Sequence, residues 1–255
     1  MVCVIGAGHL GSSLVRRLAD CDIEVSVVDR NKDKCDALAA LSGVSVVEHP
    51  SPQDVVVLCV KPPDIAKTAA AIALHQPAFI VSVAAGVTIE QIEQAIDGVA
   101  VVRAMPNIAS SVGEGATGMC ANSLATDDQV AMAEKLLSVL GIVERVDEAQ
   151  IDAVTGLSGS GPAYVFKMCE AMIDGAVNAG LERDVATRLA IATISGAAEL
   201  LKSSNKTPTE LRESVTTPNG TTAAALSVLN ERGIDAMFND AITAAQMRCR
   251  ELSNG

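Results

Sequence analysis

The hydrophobic rhythm of the chain changes near position 147. Before it, short β-branched apolar runs alternate with stretches of helical period; after it, only helical periods remain. Residues 1–5 form the first run, which ends in Gly6-Ala7-Gly8-His9-Leu10-Gly11. Leu10, Leu14, Val15 and Leu18 then recur at the spacing of one helix face. Residues 23–28 form a second run that stops at Asp29, and a helical pattern follows through Leu38 and Leu41. Further strands are expected at 44–47, 55–60, 79–83, 99–103, 117–121 and 142–146, with helices between most of them, notably 89–96 and 127–140. This alternation predicts a doubly wound α/β sheet, parallel at least through its first strands.

The second half reads as helices at 162–179, 183–202, 207–215, 221–230 and 234–252. Pro162 suits a first helical turn, and Gly180 suits a helix stop. Small residues are dense here, as in Ala190-Ile191-Ala192-Thr193-Ile194-Ser195-Gly196-Ala197-Ala198. They permit close helix approach, and such helices often bury their apolar faces across a subunit interface. The second half is therefore expected to be an all-α dimerisation unit. Between the halves lies Ile151-Asp152-Ala153-Val154-Thr155-Gly156-Leu157-Ser158-Gly159-Ser160-Gly161-Pro162-Ala163-Tyr164. A periodic apolar segment there runs into a glycine-serine turn and restarts behind a proline, which suggests a hinge.

Composition narrows the function classes. Hydrophobic residues make up 49% of the 255 and aromatics only 2%, so the core must be built from Ala, Val, Leu, Ile and Met. The formal charge of -12 argues against nucleic acid or an anionic membrane as the main partner. An anionic ligand must then be held by local devices such as helix N-termini. The seven cysteines show no C-x-x-C pair, an odd and unpatterned set that reads as reduced and intracellular. No basic region precedes the first apolar residues, and the run at 55–60 is too short to span a bilayer. The expected location is cytoplasmic.

Gly6-x-Gly8-x-x-Gly11 sits directly after a strand and opens a helix, as a dinucleotide fingerprint should. Gly6 allows the tight turn, Gly8 lets the backbone approach a pyrophosphate, and Gly11 permits close helix–strand packing. Asp29, about 20 positions on, suits an adenosine ribose and favours NAD. Arg30 follows at once and suits adenine or a 2′-phosphate instead, with Lys32 and Lys34 adding positive charge. The two neighbours, Asp29 and Arg30, disagree about the cofactor, which is expected to be NADP or NAD. Val60-Lys61-Pro62 ends a strand where ligands gather in such sheets; Lys61 either holds a phosphate or ribose or is a solvated loop lysine. Ala84-Ala85-Gly86 ends the next strand with small residues, leaving room for a flat ring such as nicotinamide. Asn107, in Met105-Pro106-Asn107, either orients a carboxamide or substrate or caps its turn.

In the second half, Thr216-Thr217-Pro218-Asn219-Gly220-Thr221-Thr222 combines a tight bend with a helix start that Thr221 or Thr222 can cap. Free N–H groups there suit a small carboxylate; the plainer reading is a capping turn between core helices. His9, His49 and His75 read as solvated or structural, and no Ser-His-Asp set or metal-ligand cluster is evident, so no metal is expected. A reaction needing little acid–base help fits this inventory.

Together these motifs resemble the pyrroline-5-carboxylate reductase family, from Ile5 to about Leu252. The segment from Ile151 to Tyr164 is the most specific part of the match. The resemblance implies a Rossmann domain over 1–148 and a helical dimerisation and substrate domain over 149–255. It implies hydride transfer from nicotinamide C4 to the imine carbon of 1-pyrroline-5-carboxylate, giving L-proline. It also implies a homodimer or higher homo-oligomer with the site near the subunit interface. By resemblance, Thr222 hydrogen-bonds the ring nitrogen, the turn at Thr217, Asn219, Gly220 and Thr221 cradles the substrate carboxylate, and Glu148 lies near the substrate. Two departures stand out. Asn219 replaces the first of two adjacent glycines, which its tolerance of left-handed geometry permits. Asp29-Arg30 stands where small hydroxyl residues are common, putting the usual NADPH preference in doubt. The alternatives are a related imine or β-hydroxyacid reductase acting on another small carboxylate, and a non-catalytic dinucleotide-binding sensor.

Overall fold

A computed structural model describes residues 1–254; Gly255, the last residue of the expected helical half, lies outside the described residues. Eight strands form one sheet: β1 Val2–Ile5, β2 Val25–Val28, β3 Val44–Val46, β4 Val55–Leu58, β5 Phe79–Ser82, β6 Val101–Met105, β7 Gly115–Ala121 and β8 Gly141–Arg145. Their spatial order is β3-β2-β1-β4-β5-β6-β7-β8, the reversal falling between β1 and β4. The helices interleaved with them are α1 His9–Asp20, α2 Lys32–Ala39, α3 Ile65–Ala73, α4 Ile89–Glu93 and α5 Asp127–Ser138. The expected doubly wound sheet is present, with all strands through β6 parallel.

β7 runs antiparallel to β6, and β8 then pairs parallel with β7. The reversal follows from chain length. Residues 106–114 are all that join β6 to β7, fewer than the dozen or more a parallel crossover requires.

The central strands β1 and β4 read as continuous apolar runs because the sheet is covered on both faces there, while the edge strands β3 and β8 are half-buried or exposed. Val4, Val27, Val57 and Val81 pack on one face with Leu14 and Leu18 of α1 and Leu136 and Leu137 of α5. Cys3, Val56, Leu58 and Ile80 pack on the other with Ile65 and Ile72 of α3, Ile89 and Ile92 of α4, and Ile151. Register fixes this partition, since a one-residue slip would exchange the faces.

After β8 come α6 Ile151–Val154, a single π turn at Thr155–Gly159, α7 Gly161–Asn178, α8 Arg183–Ser203, α9 Pro208–Ser214, α10 Thr221–Glu231 and α11 Ile234–Asn254. The segment expected as a glycine-serine turn is thus a π turn, closed by Ser160 N–H donating to Thr155 O at 2.8 Å. Two causes are visible. The Thr155 and Ser158 hydroxyls donate back to the carbonyls four residues earlier, which competes with the regular ladder. Gly156 also faces α11, where a Cβ would stand 2.8 Å from the Ile242 carbonyl oxygen.

Two compact units result: residues 1–162 with 242–255, and residues 163–241. The first includes the end of α11, whose Cys249 is buried and whose Arg250 pairs with Asp152 at 3.4 Å. In the second, α7 and α10 contain no buried residue, and α8 buries only Ala186 and Ala190. Phe166, Met168, Leu189, Ile191 and Phe238 are exposed. Helices this apolar without cover in their own chain fit a dimerising surface.

Gly156→Ala is expected to wedge α11 away from the π turn. Thermal melting should show a loss of about 1–3 kcal/mol, typical of an overpacked core.

Candidate active site

The glycine loop is built by close approach. Gly6 has φ +105, and a Cβ there would stand 2.7 Å from Cys59 O. A Cβ on Gly11 would fall on the Gly6 carbonyl oxygen, so α1 can lie this near β1 only with glycine at that position. Gly8, by contrast, faces open space. It is the N-cap of α1 and brings no side-chain acceptor to the helix start; the first turn carries no acidic residue. The N–H groups and dipole at that end are left for an anion.

A groove of about 960 Å³ opens beside this loop, lined by Gly6, Gly8, Asp29, Arg30, Val60 and Lys61 among others. Five basic residues line it (Arg30, Lys32, Lys34, Lys61 and Lys67) against Asp29, Asp36, Glu48 and Asp64. A chain of net charge -12 thus presents a slightly basic groove. Its volume, its glycine loop and its cations fit a dinucleotide.

Asp29 is not a free acceptor. Its Oδ2 takes the Ala7 N–H at 2.5 Å, and its Oδ1 takes the Asn31 N–H at 2.8 Å. The carboxylate therefore braces the glycine loop from the end of β2. Arg30 is nearly fully exposed and lies 3.8 Å from Asp64. Pro62 opens a 3-10 turn for which Lys61 is the N-cap, a few residues beyond the carboxyl end of β4.

His9, Leu10 and Asn107 line a second depression of about 220 Å³, with Pro106 and Ser110. Asn107 caps its own turn, accepting from Ala109 N–H, while its Nδ2 donates to Ser158 O at 3.0 Å. One carboxamide thus ties the end of β6 to the π turn. His49 and His75 stack on each other, ring centroids 4.4 Å apart.

Ala84 is buried and Ala85 exposed in the loop after β5. Three contacts hold this loop. Leu252 packs on Gly86, Gln91 Nε2 donates to Ser253 O, and the Ile89 N–H donates to Glu148 Oε1 at 2.7 Å. The same Oε1 accepts from Arg103 Nη1 at 2.9 Å. Arg103, on β6, is only 3% exposed and its Nε and Nη2 have no partner among the described residues, so Glu148 is its one counter-charge.

Arg103 was not singled out from the sequence. A lone charge inside Val101-Val102-Arg103-Ala104-Met105 was the signal for it. Nor did periodicity point to Lys67, or to the return of the C-terminal residues onto the loop after β5.

The Thr217–Thr222 turn belongs to the second compact unit. Asn219 has φ +57, the left-handed geometry expected of it. The N-cap of α10 is Gly220, without a side-chain cap, so Thr221 and Thr222 occupy the first turn and do not cap it. The Gly220 N–H donates to Thr217 O at 3.0 Å, and a Cβ at Gly220 would collide with the Thr217 hydroxyl. With no acid in the first turn of α10, that helix start is also suited to an anion.

Residues 148–252 match the family model for pyrroline-5-carboxylate reductase dimerisation, and residues 1–86 match that for NADP oxidoreductase, coenzyme F420-dependent. The pyrroline-5-carboxylate reductase of Synechocystis is 37% identical, over 98% of this chain and 97% of its own. This chain belongs to the pyrroline-5-carboxylate reductase family. Among solved structures, the family member from Coxiella burnetii superposes with a TM-score of 0.93 at 35% identity, covering 99% of this chain and 98% of that one. The Plasmodium falciparum member, solved with NADP bound, gives a TM-score of 0.83 at 25% identity, covering 99% and 97%. The fold expected from the family, a Rossmann-like sheet followed by helices, is the one observed. No helix among the described residues is long and apolar enough to cross a membrane, and no group of metal-ligating side chains occurs among them.

Desolvation pushes the Cys59 thiol, beside the groove, up to about 12 and the buried Cys120 up to about 11. A raised pKa keeps a thiol protonated below that value, so at pH 8 about one Cys120 in a thousand is thiolate. Iodoacetamide at pH 8 should therefore label the exposed Cys21 and spare Cys59 and Cys120 in the native protein, as peptide mass mapping would read.

Proposed function

We propose that this protein reduces 1-pyrroline-5-carboxylate to L-proline with a reduced nicotinamide dinucleotide. What carries the reading is the joint presence of the glycine-loop groove and an uncapped helix start at Gly220–Thr222, in a chain that matches the family along its length. The dinucleotide, when bound, supplies a hydride from nicotinamide C4. The groove residues bind and orient it: Gly6 and Ala7 shape the loop with their own N–H groups held by Val28 O and Asp29, Gly8 and the first-turn N–H groups of His9 and Leu10 serve the pyrophosphate, and Gly11 keeps that helix close. Val60-Lys61-Pro62 and Ala84-Ala85 border the rest of the cofactor, with Asn107 beyond them.

The substrate imine is electrophilic once protonated, so positioning does most of the work asked of the protein. We assign the substrate carboxylate to the backbone around Asn219, Gly220 and Thr221, where the Gly220 N–H closes the turn onto Thr217 O and the N–H groups on either side of it face the ligand. The Thr222 hydroxyl hydrogen-bonds the ring nitrogen and sets the imine carbon toward the hydride. We assign 1–148 to the dinucleotide and 149–255 to dimerisation and substrate, with 149–162 and the end of α11 packing in the same compact unit as the sheet. The exposed apolar faces of α7 and α8 support a homodimer or higher homo-oligomer with the site near the subunit interface. Seven unpaired cysteines suit a cytoplasmic enzyme.

NADPH is the preferred donor in this reading. Both Asp29 oxygens already hold backbone N–H groups, which weakens its claim on a ribose. Arg30, Lys32 and Lys34 line the same groove and suit a 2′-phosphate.

Loss of absorbance at the reduced-nicotinamide band, on adding pyrroline-5-carboxylate to enzyme and NADPH, tests the activity; no loss with either NADPH or NADH overturns it. Thr222→Ala should lower kcat by roughly 10- to 100-fold while the KM for NADPH holds. Unchanged turnover would remove Thr222 from the reaction. Arg30→Ala should raise the KM for NADPH about tenfold and leave that for NADH alone, one charge-assisted contact being worth about that much; equal effects on both would return the choice of donor to Asp29.

A further inference from the structure

Glu148 sits where a substrate neighbour is expected, yet one of its two carboxylate oxygens is committed inside the protein while the side chain stays 37% exposed. One oxygen, Oε1, takes both the Arg103 Nη1 donor at 2.9 Å and the first N–H of α4, from Ile89, at 2.7 Å. Ile89 ends the loop that leaves β5, the strand at the centre of the half-sheet that takes the second mononucleotide in a doubly wound fold. The far side of that loop is held by Leu252 against Gly86 and by Ser253 O accepting from Gln91. Glu148 follows β8 closely, so it joins three elements: the buried middle of β6, the α4 start and the chain leading to the π turn.

We propose that Glu148 is a positioning residue for hydride transfer. Anchored by buried Arg103, it fixes the Ala84–Ile89 loop and so sets the depth at which the nicotinamide ring lies, without touching the substrate. Arg103 supplies the charge that holds the carboxylate still, and Ile89 N–H carries the constraint into the loop. This role rests on the reductase reading above.

Steady-state kinetics, thermal melting and hydrogen exchange of residues 83–93 should be compared in the wild type, Glu148→Ala and the double variant Arg103→Leu/Glu148→Gln. The double variant removes both charges and keeps an amide oxygen for the Ile89 N–H, which guards against the single variant failing to fold. Glu148→Ala should lower kcat about 10- to 100-fold, leave the KM for the imine within about twofold, and speed exchange in 83–93. The double variant should restore kcat and exchange to within about threefold of wild type, since a neutral pair can replace a buried ion pair. A raised imine KM in both variants would mean that the carboxylate acts on the cationic ring, and would overturn the proposal. A lowered Tm with unchanged kcat would overturn it too, leaving a purely structural pair. If the wild type oxidises neither donor, the reductase reading fails; exchange in 83–93 then still decides whether Glu148 fixes the loop, and unchanged exchange overturns that.

Discussion

A guanidinium enclosed in a sheet needs a counter-charge, and that need shapes the carboxyl edge of this protein. Arg103 lies on β6 at 3% exposure. Leaving such a charge unpaired costs about 3–5 kcal/mol. Its partner, Glu148, arrives from just beyond β8 and also binds the start of α4. The chain from β8 into α6 is thereby drawn against the ends of β5 and β6. Ile151 is then buried with Ile89 and Ile92, and the last turns of α11 close over the loop after β5. A few ionic and backbone contacts thus bring the C-terminal residues onto the dinucleotide-binding sheet.

The groove shows how an acidic protein can receive an anion. Net charge acts at long range and is screened beyond about 8 Å at physiological salt. At short range, the uncapped α1 start and the local basic residues govern. Asp29 contributes indirectly, by fixing the glycine loop through the Ala7 N–H. The second helix start, at α10, is likewise uncapped and has no acidic residue in its first turn. Both ends are open for the same reason: glycine at the N-cap supplies no side-chain acceptor.

Much of this was legible in the chain. Every strand expected from the apolar runs exists, and the central ones, β1 and β4, are the plainest because cover on both faces demands continuous apolar residues there. The fingerprint glycines were readable because their spacing encodes close approach. Residues 151–159 were harder. Their glycines suggested a turn, while hydroxyls bonding back four residues and the approach of α11 made a π turn of them. Threonine capping at α10 failed because Gly220, in extended geometry, took the N-cap. Arg103–Glu148 and the return of α11 are contacts between distant positions, and periodicity carries no information about which distant residues meet. Asp29 illustrates the same limit: its place at the end of β2 was plain, but its commitment to Ala7 was not.

The destination of the hydride decides whether this protein is the proposed reductase. Incubating the protein with pyrroline-5-carboxylate and NADPH deuterated at the transferring C4 position, then analysing the product by mass spectrometry, tests this directly. Proline heavier by one deuterium, located on the former imine carbon, is the predicted result. Proline that forms without the label, or labelled donor consumed without proline, would contradict it.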